Sequence, residues 1–176
     1  LVKNDLGYRN LLKILAHIYK KNGSLECPQV PLNVLENHSD GLIALTGGPN
    51  GPIGYLITKN QLDNAKNLAN QLKSIFKDNL YFEIMRHGLK DETITEPIFL
   101  KLAYDLEVPL VATNEAYFPR REMYEAHDAL ICIEEKSFIS QRDRNRKTPE
   151  HYFKNIKEME DLFKDLPEAI ENTIVI

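Results

Sequence analysis

Cysteine is scarce: Cys27 and Cys132 are the two in 176 residues, and no C-x-x-C or Cys/His spacing joins them to anything. That argues against a disulfide-stapled or zinc-ribbon scaffold and leaves both thiols as small core residues in a reducing, cytoplasmic setting. No apolar run approaches the roughly 20 residues that cross a bilayer. The opening, LVKNDLGYRN, has no basic stretch leading into an apolar one, so it does not read as a signal peptide. Positive charge is not in excess either. Lys and Arg number 22 against 26 Asp and Glu, a net charge of −4, which excludes the segment as an electrostatic grip on nucleic acid by itself. The one basic cluster, QRDRNRK at 141–147, reads as a solvated loop in preference to a phosphate contact.

Catalytic signatures are missing in the same way. No G-x-G-x-x-G follows a strand and no G-x-S-x-G occurs, so neither a dinucleotide fold nor serine nucleophilic catalysis is supported. The Gly- and Pro-rich stretch LTGGPNGPIG (45–54) lacks the Lys-Ser/Thr of a P-loop. Its residues read as turn formers, with phosphate cradling the weaker alternative.

What is present is an alternation of periods. With 43% hydrophobic and 27% charged residues, the chain is long enough for one domain, or most of one, with a sizeable core. A helix is expected from Asp5 and Gly7 onward, with Leu11, Leu12, Leu15, Ile18 and Tyr19 at helical spacing and Gly23 as its stop. GLIALTGG (41–48) reads as a short buried strand. Residues 59–79 carry the stripe Leu62, Ala65, Leu68, Ala69, Leu72, Ile75 and Phe76 of an amphipathic helix. NLYFEIMRHG is a strand ended by Gly88. In TITEPIFLKLAYDLE, Thr93 with Glu96 resembles a capping box, and Pro97 belongs in a first turn, so a helix is expected to begin there. VPLVATN is the next strand. PRREMYEAHDALICIEE is helical, with Met123, Ala126, Leu130 and Ile133 on its apolar side. A further helix is expected with Thr148 as N-cap and Pro149 at its first position, divided by Pro167. Strands alternating with helices predict parallel strands packed by helices, and a barrel-like α/β fold is favoured over a doubly wound one. The opening Leu1-Val2 reads as the tail of a strand whose beginning is missing.

Residues able to carry chemistry gather at two strand ends. Along YFEIMRHG the alternation places Glu83, Met85 and His87 on one side and Phe82, Ile84 and Arg86 on the other. A carboxylate and an imidazole on one face suit a metal or a proton shuttle. The plainer reading, preferred on spacing alone, is local hydrogen bonding. In VPLVATNEAYFP, Glu115 and Tyr117 share a side beyond the next strand, where α/β barrels keep their chemistry. Asp-x-His there would make a plausible metal pair. A tyrosine is a poor ligand at neutral pH, and a glutamate moves its oxygens by one methylene, so the pair argues against a working metal cluster. His127, beside Asp128, reads as a helix-surface or interface residue. His17, His38 and His151 have no partner that spacing supplies.

Several stretches carry a resemblance. LVKNDLGYRNLLKI, GLIALTGG, YFEIMRHG, VPLVATNEAYF, EAHDALICI and EMEDLFKDLPEAIENT follow the order seen in the PHP domain of bacterial DNA polymerase III alpha subunits. The resemblance covers nearly the whole chain. It implies a distorted (β/α)7 barrel, lacking its first strands here. Residues 1–165 would be the C-terminal portion of that domain, and 166–176 the start of a connection towards the polymerase core. It implies that His87 falls on a metal-ligand histidine, Glu115 where active members have aspartate, and Tyr117 where they have histidine. Zn2+ or Mn2+ would occupy an intact site; the departures at Glu115 and Tyr117 make His87 and Glu115 vestigial ligands at most. No catalytic residue is expected in this segment, since the parent polymerase works with Mg2+ held by carboxylates elsewhere. The implied role is a scaffold and docking surface for a separate 3′–5′ exonuclease subunit. The sliding clamp, the clamp loader and DNA would be partners of the parent protein, in the bacterial cytoplasm. An active metal-dependent PHP phosphoesterase is the rival reading.

Overall fold

Leu80–Ile84 is the strand about which the molecule is organised. All five of its residues are buried, and in the computed structural model, which describes residues 1–21, 29–141 and 143–176, it is the middle of a three-stranded parallel sheet. The strands are β1 (Ala44–Leu45), β2 (Leu80–Ile84) and β3 (Leu110–Ala112), in that order across the sheet. Ala44 pairs with Leu80, and Phe82 with Leu110. Side chains alternate across the sheet as expected for strands. Leu80, Phe82 and Ile84 enter the main core; Tyr81 joins a smaller cluster with Ile43 and Val111 on the opposite face. Parallel strands need crossovers, which are the helices α3 (Pro52–Thr58) with α4 (Leu62–Phe76), and then α5 (Lys90–Asp105). Phe99 of α5 meets Phe82 with ring centroids 5.8 Å apart. Both rings are essentially inaccessible, and burial of each contributes about 2–3 kcal/mol.

The first element, α1 (Asp5–Lys21), buries Gly7, Asn10 and Ile14. Three of the residues assigned to its apolar stripe, Leu12, Leu15 and Tyr19, are exposed instead. The helix is turned because Gly7 lies against the backbone of Gly41, which has φ +75°; a Cβ on Gly7 would stand 1.9 Å from the Gly41 carbonyl oxygen. Leu1 and Val2 run extended beside residues 41–43, with Val2 bridging Leu42 antiparallel. Gly23 and Cys27 lie outside the described residues.

Four other expectations are corrected. First, α5 begins at Lys90 and not near Thr93. The Glu92 carboxylate accepts the N–H groups of Leu89 and His87, which satisfies donors ahead of the helix, and Pro97 sits in the helix interior. Second, the turn expected in 45–54 is there, as the 3-10 turn Gly48–Asn50, but Pro52 then opens α3, which was not expected. A short α2 (Leu32–Asn37) also went unread. Third, α6 (Tyr124–Glu134) buries Asp128, Ile131 and Cys132. The expected apolar side faces out: Leu130 is 62% and Ile133 74% exposed. Fourth, no helix begins at Thr148. Its hydroxyl donates to the carbonyl of His87 and accepts the Glu150 N–H, closing a turn. The helix α7 (Ile156–Leu162) starts only after Asn155, whose side chain accepts the Glu158 N–H while Glu158 accepts that of Asn155. Pro167 does open a separate helix, α8 (Pro167–Val175), which packs on β3.

Candidate functional site

Past the C-terminal ends of β2 and β3 the chain leaves the ladder, and polar side chains replace the apolar ones. Glu83, still inside β2, serves as a tie. Its carboxylate accepts the Gly47 N–H at 3.0 Å and the Thr113 hydroxyl at 2.7 Å, linking the ends of all three strands. It is not bonded to His87, so the E-x-x-x-H spacing does not create a pair.

His87, 2% exposed, has partners on both ring nitrogens. Nδ1 lies 2.8 Å from Glu92 Oε1. Nε2 accepts the backbone N–H of Glu115 at 3.2 Å and lies 3.1 Å from Asn114 Oδ1. Nδ1 donates to the Glu92 carboxylate, and Nε2 lies between an amide N–H and an amide oxygen, so both ring nitrogens are engaged within the protein. Burial pushes the Glu92 carboxyl up, but hydrogen bonds from His87 and from the backbone of Leu89 and His87 outweigh it, and the net direction is down.

A second imidazole lies on the first. The rings of His87 and His151 stack with centroids 4.2 Å apart and planes 16° off parallel. His151 is wholly buried and arrives because Phe118 and Tyr152 bridge as parallel strands. Its Nδ1 lies 3.0 Å from the Thr148 hydroxyl, 3.1 Å from the Thr148 N–H and 3.3 Å from the Thr148 carbonyl oxygen. Its Nε2 has no hydrogen-bond partner and stands 3.9 Å from Glu115 Oε2. Desolvation by burial, with the neighbouring His87 next in weight, pushes the His151 pKa down to about 4, so the ring is neutral at pH 7. Lys154 is also buried; desolvation lowers its pKa, and its ammonium donates to the Glu150 carbonyl.

Glu115 and Tyr117 do share a side, and they bond to each other: the Tyr117 hydroxyl donates to Glu115 Oε1 at 2.6 Å. Lys147 donates to the same hydroxyl at 2.9 Å and lies 4.1 Å from the ring centroid. His127 packs its ring against Tyr117 and Phe118. His17 and His38 take no part in these contacts. The basic stretch 141–147 is not simply solvated. Arg144, whose side chain is 2% exposed, grips buried Asp128 of α6 at 2.5 and 2.6 Å. That contact holds the Asp128 carboxyl below its ordinary range.

Within the described residues the donor set does not complete a divalent site by itself. Among the described residues no three His, Cys, Asp or Glu side chains are grouped so as to hold one. His87 Nε2 is engaged by the Glu115 N–H and Asn114 Oδ1, Glu115 Oε1 by the Tyr117 phenol, and His151 Nε2 is without a partner. Sequence reasoning found His87, Glu115 and Tyr117 and missed His151, Glu92, Asn114 and Lys147. A carboxylate five residues after His87 was the only local signal; the rest is brought in by the Phe118–Tyr152 bridge and the Arg144 anchor.

The PHP domain family model matches residues 1–87. Across all 176 residues the chain is 43% identical to the DNA polymerase III subunit alpha of Caulobacter vibrioides and covers 15% of that protein. It is 40% identical over 174 residues to the subunit of Rickettsia bellii, and 39% identical over 177 residues to that of Borreliella burgdorferi; each match takes in at least 99% of this chain and 15% of the relative. The chain thus spans about 15% of the length of these relatives. Among the described residues no helix is long and apolar enough to cross a membrane.

Proposed function

Because this chain belongs to the PHP-domain region of the DNA polymerase III alpha subunits, we propose that it is the scaffold portion of a bacterial replicative DNA polymerase, with a distorted barrel whose own metal site has been given up. Template-directed synthesis by the parent protein would use Mg2+ on carboxylates outside this segment. The observation that carries the reading is the hydrogen bonding at the strand ends. His87 is held by Glu92 and the Glu115 amide, and Glu115, Tyr117 and Lys147 hold one another, which supports side chains committed to contacts within the protein. A site built this way positions chain segments and does not polarise a phosphate.

The docking half of the proposal is supported by the outward face of α6 and the loop after it. Leu130, Ile133, Phe138 and Ile139 are all more than 60% exposed, the kind of apolar patch that marks a protein contact. The proofreading 3′–5′ exonuclease subunit is the partner we assign, alongside the polymerase core.

Elemental analysis of the full-length protein, purified without chelator, tests the metal-free reading: the expected result is no zinc, manganese or iron. His87→Ala should then leave primer extension by the full-length protein nearly unchanged. Stoichiometric metal, or lost extension without lost stability, would mean that the site works as a phosphoesterase or in synthesis itself.

A further inference from the structure

Lys147 is the one cation in direct contact with the Glu115–Tyr117 pair among the described residues, and it is there by construction of the loop. Three residues before it, Arg144 is clamped bidentate on Asp128. One residue after it, Thr148 is tied to the carbonyl of His87 at 2.7 Å. Between two such anchors the backbone of Lys147 has little freedom, and its ammonium meets the Tyr117 hydroxyl at 2.9 Å. The hydroxyl has one proton. With the lysine donating to its lone pair, that proton is turned onto Glu115 Oε1. The three groups form a hydrogen-bonded row, ammonium to phenol to carboxylate, and the +1 charge of Lys147 balances the −1 charge of Glu115 through the phenol.

We propose that Lys147 is the resident cation of this site: a positioning residue that takes over the charge role of a divalent metal and keeps one out. This rests on the metal-free reading above and adds its cause. An ammonium this close to the ligand pair repels a +2 ion that approaches Glu115, and at a few ångströms the repulsion acts well inside the screening length of about 8–10 Å. The loss of the site is then a double change. Substituting the ligands removes affinity, and the anchored lysine fills the charge deficit that remains. Restoring the ligand alone should therefore not restore binding.

The test uses the full-length protein with Mn2+ or Zn2+ alone as probe, in calorimetric titrations and elemental analysis. Tyr117→Phe, which offers no ligand, sets the background from metal sites elsewhere. Native protein and Tyr117→His are expected at background. Tyr117→His/Lys147→Met is expected to gain one ion per chain, bound at least tenfold more tightly than by Tyr117→His, with a rise in melting temperature on adding the ion. Lys147→Gln serves in place of Lys147→Met if the latter does not fold. Equal uptake by Tyr117→His and the double variant overturns the role of Lys147, as does a double variant that stays at background. Uptake above background by the native protein overturns instead the metal-free reading itself.

Discussion

Arg86 is the residue whose loss the structure prices most directly. Its guanidinium uses all five N–H donors. Nε and Nη2 go to Glu96 at 3.1 and 2.5 Å, Nη1 and Nη2 to Asp165 at 2.6 and 2.8 Å, and Nη1 also to the carbonyl of Leu162 at 2.8 Å. The group lies 4.8 Å from the Phe163 ring centroid. These contacts join the end of β2 and α5 to the turn between α7 and α8, so Arg86→Met should loosen that turn. The pair with Glu96, about one-fifth exposed on both sides, would be worth about 1.5–3 kcal/mol if fully desolvated. Exposure brings that to about 1–2, and Leu162 adds on the order of 1 kcal/mol. Asp165 is 58% exposed and adds little. A net loss of about 2–3 kcal/mol corresponds to local opening roughly 30- to 150-fold more frequent. Hydrogen exchange measured by mass spectrometry on peptides spanning 160–175 of the full-length protein reads this out. The exposed Lys101–Asp105 pair of α5 supplies the control, and Lys101→Met should change nothing there. An Arg86→Met protein exchanging within threefold of the native rate across 160–175 would refute the assignment of Arg86 as the clamp.

Two further outcomes follow from other contacts. Gly7→Ala should cost about 1–3 kcal/mol, near the upper end because the obstacle is the Gly41 carbonyl and not a yielding side chain. Gly88→Ala, strained only by φ +76° with nothing within 4 Å, should cost about 1–2 kcal/mol; melting temperatures in the reverse order would contradict the packing argument. The His151 pKa predicts an acid sensitivity. Its folded value, about 4, lies below the ordinary 6.5. Between the two the unfolded chain binds a proton that the folded chain refuses, so this contribution is intact above pH 6.5 and declines as pH falls towards 4. The decline should be on the order of 2 kcal/mol by pH 5. His151→Asn should flatten the stability profile over that interval, and an unchanged slope would mean the ring is not held neutral.

Hydrophobic periods are enough to set element types where one element buries one face. In β2 the alternation Leu80, Phe82, Ile84 against Tyr81, Glu83 is the alternation of the sheet's two sides, and the Ala65, Ala69, Leu72, Phe76 stripe of α4 is its buried face. Those patterns are local, set by the 2.0 and 3.6 residue repeats. The same reasoning misled at α6, where Leu130 and Ile133 have helical spacing but point outward, since spacing marks an apolar face without saying what covers it. It misled at Thr148 and Pro149 because a long-range bond to the His87 carbonyl competes with capping. That Glu115 and Tyr117 depart from a good metal pair was available from side-chain chemistry alone. What only tertiary structure decided is how they are satisfied. His151 reaches His87 across 64 positions and Lys147 reaches Tyr117 across 30. Such contacts are chosen by the parallel bridge at Phe118 and by the Arg144–Asp128 clamp, which carry no periodic trace in the chain.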